Sequence, residues 1–513
     1  MRRLIALCLV VGMITCQKKP VAVAPMAAPQ EIAPLSYSVD LTQISDDLFR
    51  CQLVMAPVDD EVVTIQFPAS APGTYQTMDM GRFVRSIEAA DQVGNSINLT
   101  QASTNQWQFD NPGGPVRISY TIAETWDTKV DDRFIFPMAG TSLEADHALI
   151  CPHAVFPFPL GYQDRAVALS VQLPETWTVG TAMPFENGAY HAEDYDQFVD
   201  SPLLVGNLSV AEETIDGCRF QVYVYSKSGN KKADAILEKL RPVITATGEM
   251  LHGFPNDHYA FLFHFEALTM GAWEHAYSSN YVLSDTANET ATMNSMVHMA
   301  AHEVFHMITP LHIHSEMIDP FDFAEPKPSI HLWFYEGVTE WAARIMMMRA
   351  EFITLDRYLT NVGRSIMGSG FFDSSVSLKG IGEASFSPSN MRLFPNVYMK
   401  GSLVAALLDL KMLYLTDGKI GLRDVILDLA EDFGPQQTFS EADFFKEIAD
   451  RSAPEIEEFL NRYVGGIDEL PIAECFGYVG IGYTVQGAKL EVLENATAEQ
   501  LALREIWMQN GAP

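Results

Sequence analysis

Cysteine is scarce in this 513-residue sequence, with only six. Cys8 and Cys16 fall in the first 16 residues, which leaves Cys51, Cys151, Cys218 and Cys475 widely spaced, with no CxxC pair and no Cys/His metal knuckle. That spacing excludes a compact disulfide scaffold. In an exported chain the four can form two disulfides in three connectivities, or stay as buried thiols. Positive charge is also short: 33 Lys and Arg stand against 66 Asp and Glu, for a formal net charge of −33. Such a surface repels phosphate backbones and anionic lipid, so nucleic acid is not an expected partner. After the N-terminus no run of 18 uncharged apolar residues occurs, and no transmembrane helix is expected. Internal repeats with a period of about 20–50 residues are missing too.

What is present is a globular composition, 48% hydrophobic and 19% charged. At about 150 residues per domain the length suggests about three domains. Arg2 and Arg3 precede an apolar run over residues 4–14, too short to span a bilayer but suited to a signal peptide. Met13-Ile14-Thr15-Cys16 resembles a bacterial lipobox, which makes residues 1–16 a signal and Cys16 a lipid-anchor candidate. The alternative is an ordinary secretory signal cut a little later. Residues 17–34, rich in proline, read as a flexible tether. The expectation is an exported protein, periplasmic or attached to the outer membrane.

Residues 35–205 read as short strands with turn punctuation, including 48–57, 61–67, 116–122 and 167–173, with a turn at Asn111-Pro112-Gly113-Gly114. This predicts a β-sandwich-like domain. From about 217 the pattern mixes strands at 219–225 and 259–265 with helices at 233–252 (despite Pro242), 288–308 and 330–348. Beyond 398 it is nearly all helical, at 402–415, 422–432, 440–450 and 454–463, and Ser440 with Asp443 fits a capping box.

Within the 288–308 helix stands His302-Glu303-Val304-Phe305-His306. Residues four apart share a helix face, so both imidazoles can grip one metal ion, and catalytic zinc keeps a position for water. Glu303 lies about 100° round the helix and can reach that water without taking a ligand position. A third protein ligand is required. Glu336, in Leu332-Trp333-Phe334-Tyr335-Glu336-Gly337, follows on the next strong helix. Glu340, His312, His314 and His331 compete, and spacing alone does not choose among them.

The HExxH string with a later LWxxEG helix resembles the gluzincin metallopeptidases. More closely, the set resembles the glycyl aminopeptidase family. Pro68-Ala69-Ser70-Ala71-Pro72-Gly73-Thr74-Tyr75 with Arg82-Phe83-Val84 is similar to that family's N-terminal signature. Gly271-Ala272-Trp273-Glu274-His275 is similar to its GGLEH-type strand, Pro320-Phe321-Asp322-Phe323 to its PFDY-like loop, and Tyr398-Met399-Lys400-Gly401 to its YxKG segment. The resemblance spans about residues 35–470.

It implies a multidomain α+β architecture. An N-terminal β-sandwich-like domain (35–205) precedes a thermolysin-like catalytic domain (206–400), a helical part (401–470) and a short extension (471–513). It implies one Zn2+ per chain on His302, His306 and Glu336, with Glu303 as general base and Tyr398 as oxyanion donor. Glu274 would bind the substrate's free amine, with Gly271 and His275 as further substrate contacts. The implied activity is a zinc aminopeptidase releasing small N-terminal residues, Gly or Ala, from peptides. Two alternatives stand beside it: a zinc endopeptidase or other zinc hydrolase on the same scaffold, and a non-catalytic zinc-containing binding protein. The chain departs from the family pattern after His306, where Met307-Ile308-Thr309 and Leu311-His312-Ile313-His314 replace a Trp-Asn and basic stretch. Trp273 also replaces a smaller residue. Only 47 residues follow Gly466, too few for the complete PDZ domain that many members carry.

Overall fold

The computed structural model describes residues 33–509 except 45, 267–269, 286–288 and 436. The signal and lipid-anchor readings, and all but the last two residues of the tether, lie outside the described residues. No helix among the described residues is long and apolar enough to cross a membrane.

The N-terminal part is built of strands whose side chains alternate between core and solvent. Leu35–Asp40 and Leu48–Met55 bury every second residue, as a half-buried antiparallel sheet requires. They belong to an eight-stranded sheet with Val116–Ala123, Val84–Asp91 and Val167–Gln172. Two four-stranded sheets accompany it, one around Val62–Gln66 and Gln106–Asp110, the other around His147–Ile150 and Leu203–Gly206. Tyr37, Phe49, Phe67, Ile118, Phe156 and Phe198 fill the space between. Cys51, Cys151, Cys218 and Cys475 are all buried free thiols, and burial pushes each thiol up, Cys218 and Cys475 to about 12.

The catalytic part starts with a five-stranded sheet ordered Ser209–Ile215, Cys218–Ser226, His258–Glu266, Ser278–Ser284, Gly271–His275. The central strand, His258–Glu266, runs parallel to both neighbours and is buried along nearly its whole length, as sheets covered on both faces are. Phe261, Phe263 and Phe265 face the helices, while Ala260 and Leu262 face the β domain. The helix Ala233–Leu251, with Pro242 inside it, makes the crossover into the central strand. The edge strand Gly271–His275 pairs antiparallel with Ser278–Ser284.

Helices complete the molecule. Glu289–Phe305 carries the HExxH string. The next helix opens as a π-helical turn, Trp333–Val338, before continuing as Thr339–Arg349. Pro395–Leu415 starts seven residues earlier than the periodicity suggests, because Pro395 sits in the first turn, where a missing N–H costs nothing. Tyr398 therefore lies near a helix start. The Ser440/Asp443 capping box does not form: the helix there is Phe444–Asp450, and Asp443 precedes it without a side-chain cap. After Pro471 the chain forms Ile472–Tyr478, a hairpin of Ile481–Thr484 with Lys489–Val492, and Ala498–Gln509. Trp507 anchors this last helix, its ring edge-on to Tyr358 at 5.6 Å.

Candidate active site

His302 sits in the last turn of Glu289–Phe305, and His306 follows directly. Their rings lie 4.8 Å apart at 80°. Glu336, on the π-helical turn, brings Oε2 to 3.4 Å from His302 Nε2 and 3.8 Å from His306 Nε2. The π turn inserts an extra residue at this spot, as such bulges often do at functional sites. All three side chains are buried. The competing ligands are occupied elsewhere. The carbonyls of Ala430 and Glu441 hold Nε2 of His312 and His331, and His314 sits between the Pro310 carbonyl and Asp319.

Glu340 stands behind His302 instead of beside the metal position, with Oε2 3.3 Å from Nδ1. It lies off the N–H direction, so the contact is an electrostatic one and not an aligned hydrogen bond. Arg344 holds the same carboxylate at 2.7 and 2.8 Å. His306 Nδ1–H donates to the Thr309 carbonyl at 2.8 Å, which fixes the tautomer and turns the Nε2 lone pair toward Glu336. The unfamiliar segment after HExxH thus supplies the group that orients the second histidine.

Glu303 lies 6% exposed on the same cavity. Burial pushes its carboxyl up to about 8; His302 opposes the rise, and Glu336 and Glu340 add to it. Burial drives His306 down to about 4. For His302, burial is outweighed by Glu336 and Glu340, and its imidazole is held well above the ordinary value. Four carboxyl groups, Glu274, Glu303, Glu336 and Glu340, are thus buried around the two imidazoles. A His2Glu donor set in such surroundings fits zinc.

Tyr398 packs its ring 5.8 Å from that of His302. Burial, with Glu336 and Glu274 adding to it, lifts its phenol far above the usual range, so it remains a protonated donor at neutral pH. The glycines of the two helical motifs explain how this tyrosine approaches. A Cβ on Gly337 would sit 2.6 Å from Gly401 Cα, and one on Gly401 would sit 2.9 Å from Gly337 Cα. Backbone meets backbone there, so Pro395–Leu415 can lie close against the Glu336 turn.

On the edge strand, side chains alternate. Ala272 and Glu274 point at the cavity, and Glu274 is 8% exposed. One oxygen of Glu274 lies within 4.8 Å of ligand atoms of both Glu303 and His306. Burial raises the Glu274 carboxyl well above the usual value, and Glu336 and Glu303 add to this. The same alternation removes Gly271 and His275 from the cavity. His275 is tied to Asp200 Oδ1 and Asn280 Oδ1, both at 3.0 Å, and Gly271 leaves room for Met138, whose Sδ would lie 2.6 Å from an added Cβ. Neither residue lines the cavity. Trp273 also turns away, its Nε1–H donating to the Pro72 carbonyl at 3.1 Å, though the ring still edges the cavity.

The β domain contributes a wall that the sequence motifs alone do not place at the site. Its loop Gly73-Thr74-Tyr75-Gln76 lines a cavity of about 280 Å³ with His302, Glu303, Glu336 and Tyr398. Tyr75 Oη donates to Glu336 Oε1 at 3.2 Å. Gly73 has φ +73°, and a Cβ there would sit 2.3 Å from Glu274 Oε1, so only glycine closes this loop over the carboxylate. The signal was present in the sequence, because the PASAPGTY string ends at Tyr75.

Residues 36–207 match the Peptidase M61 N-terminal domain, and residues 295–403 match M61 glycyl aminopeptidase. No curated protein matches the sequence significantly. Among solved structures, an aminopeptidase N family protein from Idiomarina loihiensis superposes with a TM-score of 0.79 at 21% identity, over 88% of this chain and 79% of that one. An M1 zinc metallopeptidase from Deinococcus radiodurans gives a TM-score of 0.53 at 14% identity, over 86% and 96%. A mutant two-domain M1 zinc metallopeptidase bound to L-tryptophan gives 0.54 at 12%, over the same shares. These structural likenesses are of fold. The two family matches lie in order and together cover the β domain and the helices that carry HExxH, Glu336 and Tyr398. The chain belongs to the M61 glycyl aminopeptidase family and is a metallopeptidase.

Proposed function

We propose that this metallopeptidase is a zinc-dependent aminopeptidase that releases one small residue, Gly or Ala, from the N-terminus of peptides, and that it acts after export. The observation that carries the reading is the placement of Glu274 against the metal trio. In a peptide the amine nitrogen and the scissile carbon are about 2.5 Å apart, and a hydrogen bond adds about 2.8 Å, a reach of about 5 Å. A carboxylate within 4.8 Å of Glu303 and His306 leaves room for one residue. Tyr75, Phe136, Met138 and Trp273 crowd that space, which supports a small first side chain. The basic and apolar N-terminus with Cys16 supports export.

Zinc on His302, His306 and Glu336 would polarise the scissile carbonyl and ease deprotonation of a water. The side chains then divide the remaining work. Glu274 holds the ammonium and so fixes the register of the peptide. Glu303 accepts the water's proton and returns it to the leaving amine. The Tyr398 hydroxyl donates to the oxygen on which charge develops; one such donor is typically worth about 2.7–4 kcal/mol. Tyr75 and Glu340 hold Glu336 and His302 in place.

One observation favours the endopeptidase alternative. A second cavity of about 300 Å³ shares Gly73, Tyr75 and Glu274 with the first, so space continues beyond the amine position. Glu274→Gln separates the two readings. In an aminopeptidase it lowers kcat/KM on a free-amine alanyl amide by about 100-fold or more and erodes the preference over the acetylated form. Unchanged kcat/KM, with acetylated substrate cut equally well by wild type, would refute the aminopeptidase.

A further inference from the structure

We propose a second divalent-cation site, best suited to zinc, at the seam between the β domain and the catalytic sheet, held by His147, His264 and Glu266. His264 and Glu266 lie two apart on the central strand and so face the same side. That side is otherwise apolar: Ala260, Leu262, Val282 and, from the β domain, Leu149 and Leu204 pack there. His147 arrives from the strand His147–Ile150. One donor atom from each of the three residues lies within 4.8 Å of the others. Tetrahedral zinc, with ligands at about 2.0–2.1 Å, spaces them about 3.3 Å apart, so side-chain closure of an ångström or so suffices.

Two features point to a ligand. His264 is fully buried, and neither ring nitrogen has a hydrogen-bond partner. His147 is buried as well, and its Nε2 is likewise unpartnered. Packing alone does not explain buried imidazoles left in this state, because burial without a partner is costly. The second feature is orientation. His147 Nδ1 lies 2.8 Å from Asp146 Oδ1, so it carries the proton and leaves the unpartnered Nε2 with its lone pair, on a ring 4.7 Å from that of His264. Tyr225 holds Asp146 through its hydroxyl at 3.2 Å and stacks on His147 at 3.7 Å between ring centroids. Trp126 stacks on His264 at 4.9 Å. A carboxylate behind a histidine that faces a second histidine and a glutamate is the arrangement zinc sites use. Lys227 pairs with Glu266 from the surface at 2.5 Å, which offsets its charge but satisfies neither imidazole. Bound there, the ion ties the β domain to the sheet that carries Glu274.

The test is zinc content per chain, by elemental mass spectrometry on full-length protein expressed with zinc and freed of loosely held metal. Wild type is expected to hold two zinc ions. The His302→Ala/His306→Ala double variant keeps one. His264→Phe, which fills the same space between Trp126 and the sheet, also keeps one and retains peptidase activity. Glu266→Gln, a milder change, raises the zinc dissociation constant of the second site tenfold or more. One zinc in wild type and none in the double variant would overturn the proposal, as would two zinc ions in folded His264→Phe.

Discussion

Replacing Gly401 by alanine tests whether the glycines of the two helical motifs set the active-site geometry. The new methyl would sit 2.9 Å from Gly337 Cα and 3.7 Å from the Trp333 carbonyl oxygen. Carbon atoms pack at about 3.5–4.0 Å, so the helix must retreat by about 0.6–1 Å. Overpacking of this kind costs about 1–3 kcal/mol of stability. The larger effect falls on activity, because this helix carries Tyr398 and the opposing turn carries Glu336. A displacement of about 1 Å costs about 100-fold in rate when it misplaces a reacting group. The assay is kcat/KM on an alanyl amide, with zinc content and the melting transition measured on the same sample. Gly401→Ala is expected to fold, to melt earlier and to lose about 100-fold in kcat/KM. Gly337→Ala is expected to be worse, because its methyl meets two backbone atoms of Gly401, at 2.6 and 2.7 Å. Full activity and unchanged melting in Gly401→Ala would refute the close-approach argument.

Three further perturbations follow. Glu340→Gln removes the charge behind His302 and should weaken zinc binding about 10–100-fold, read by competition with a chromogenic chelator. Tyr75→Phe removes the hydroxyl on Glu336 and should weaken zinc binding less than Glu340→Gln, with no loss of folding; unaltered zinc affinity and kcat would show that the β domain does not act at the site. His153 is fully buried against Trp273, and burial holds its imidazole at about 3 while the unfolded chain protonates near 6.5. Its contribution is therefore complete above pH 6.5 and declines as pH falls from there toward 3, by about 2 kcal/mol at pH 5. His153→Phe should flatten the acid side of the stability profile by that amount, and an unchanged profile would contradict the burial argument.

The grouping of His302, His306 and Glu336 was legible because the pattern is local. HExxH places two ligands one helical turn apart, and the glutamate falls on the next helix. The spacing left Glu336 and Glu340 open, and packing divides their roles: a π-helical turn swings Glu336 inward, while Glu340 falls behind His302. Such a turn leaves little trace in periodicity. The adjacent residues Glu274 and His275 could not both face one cavity from a strand, a constraint the sequence carries in its period of two. Tyr75 was harder to read, because it meets Glu336 across 261 residues of chain and a domain boundary. Four dispersed cysteines left pairing open, and burial of each in its own part of the core resolves them as thiols.

The most direct measurement is digestion of a mixed synthetic peptide pool, with free and acetylated N-termini, read by mass spectrometry for wild type beside Glu303→Gln. The account predicts loss of single small N-terminal residues from free-amine peptides only, absent in the variant. Internal cuts indifferent to acetylation, or cleavage that survives Glu303→Gln, would contradict it.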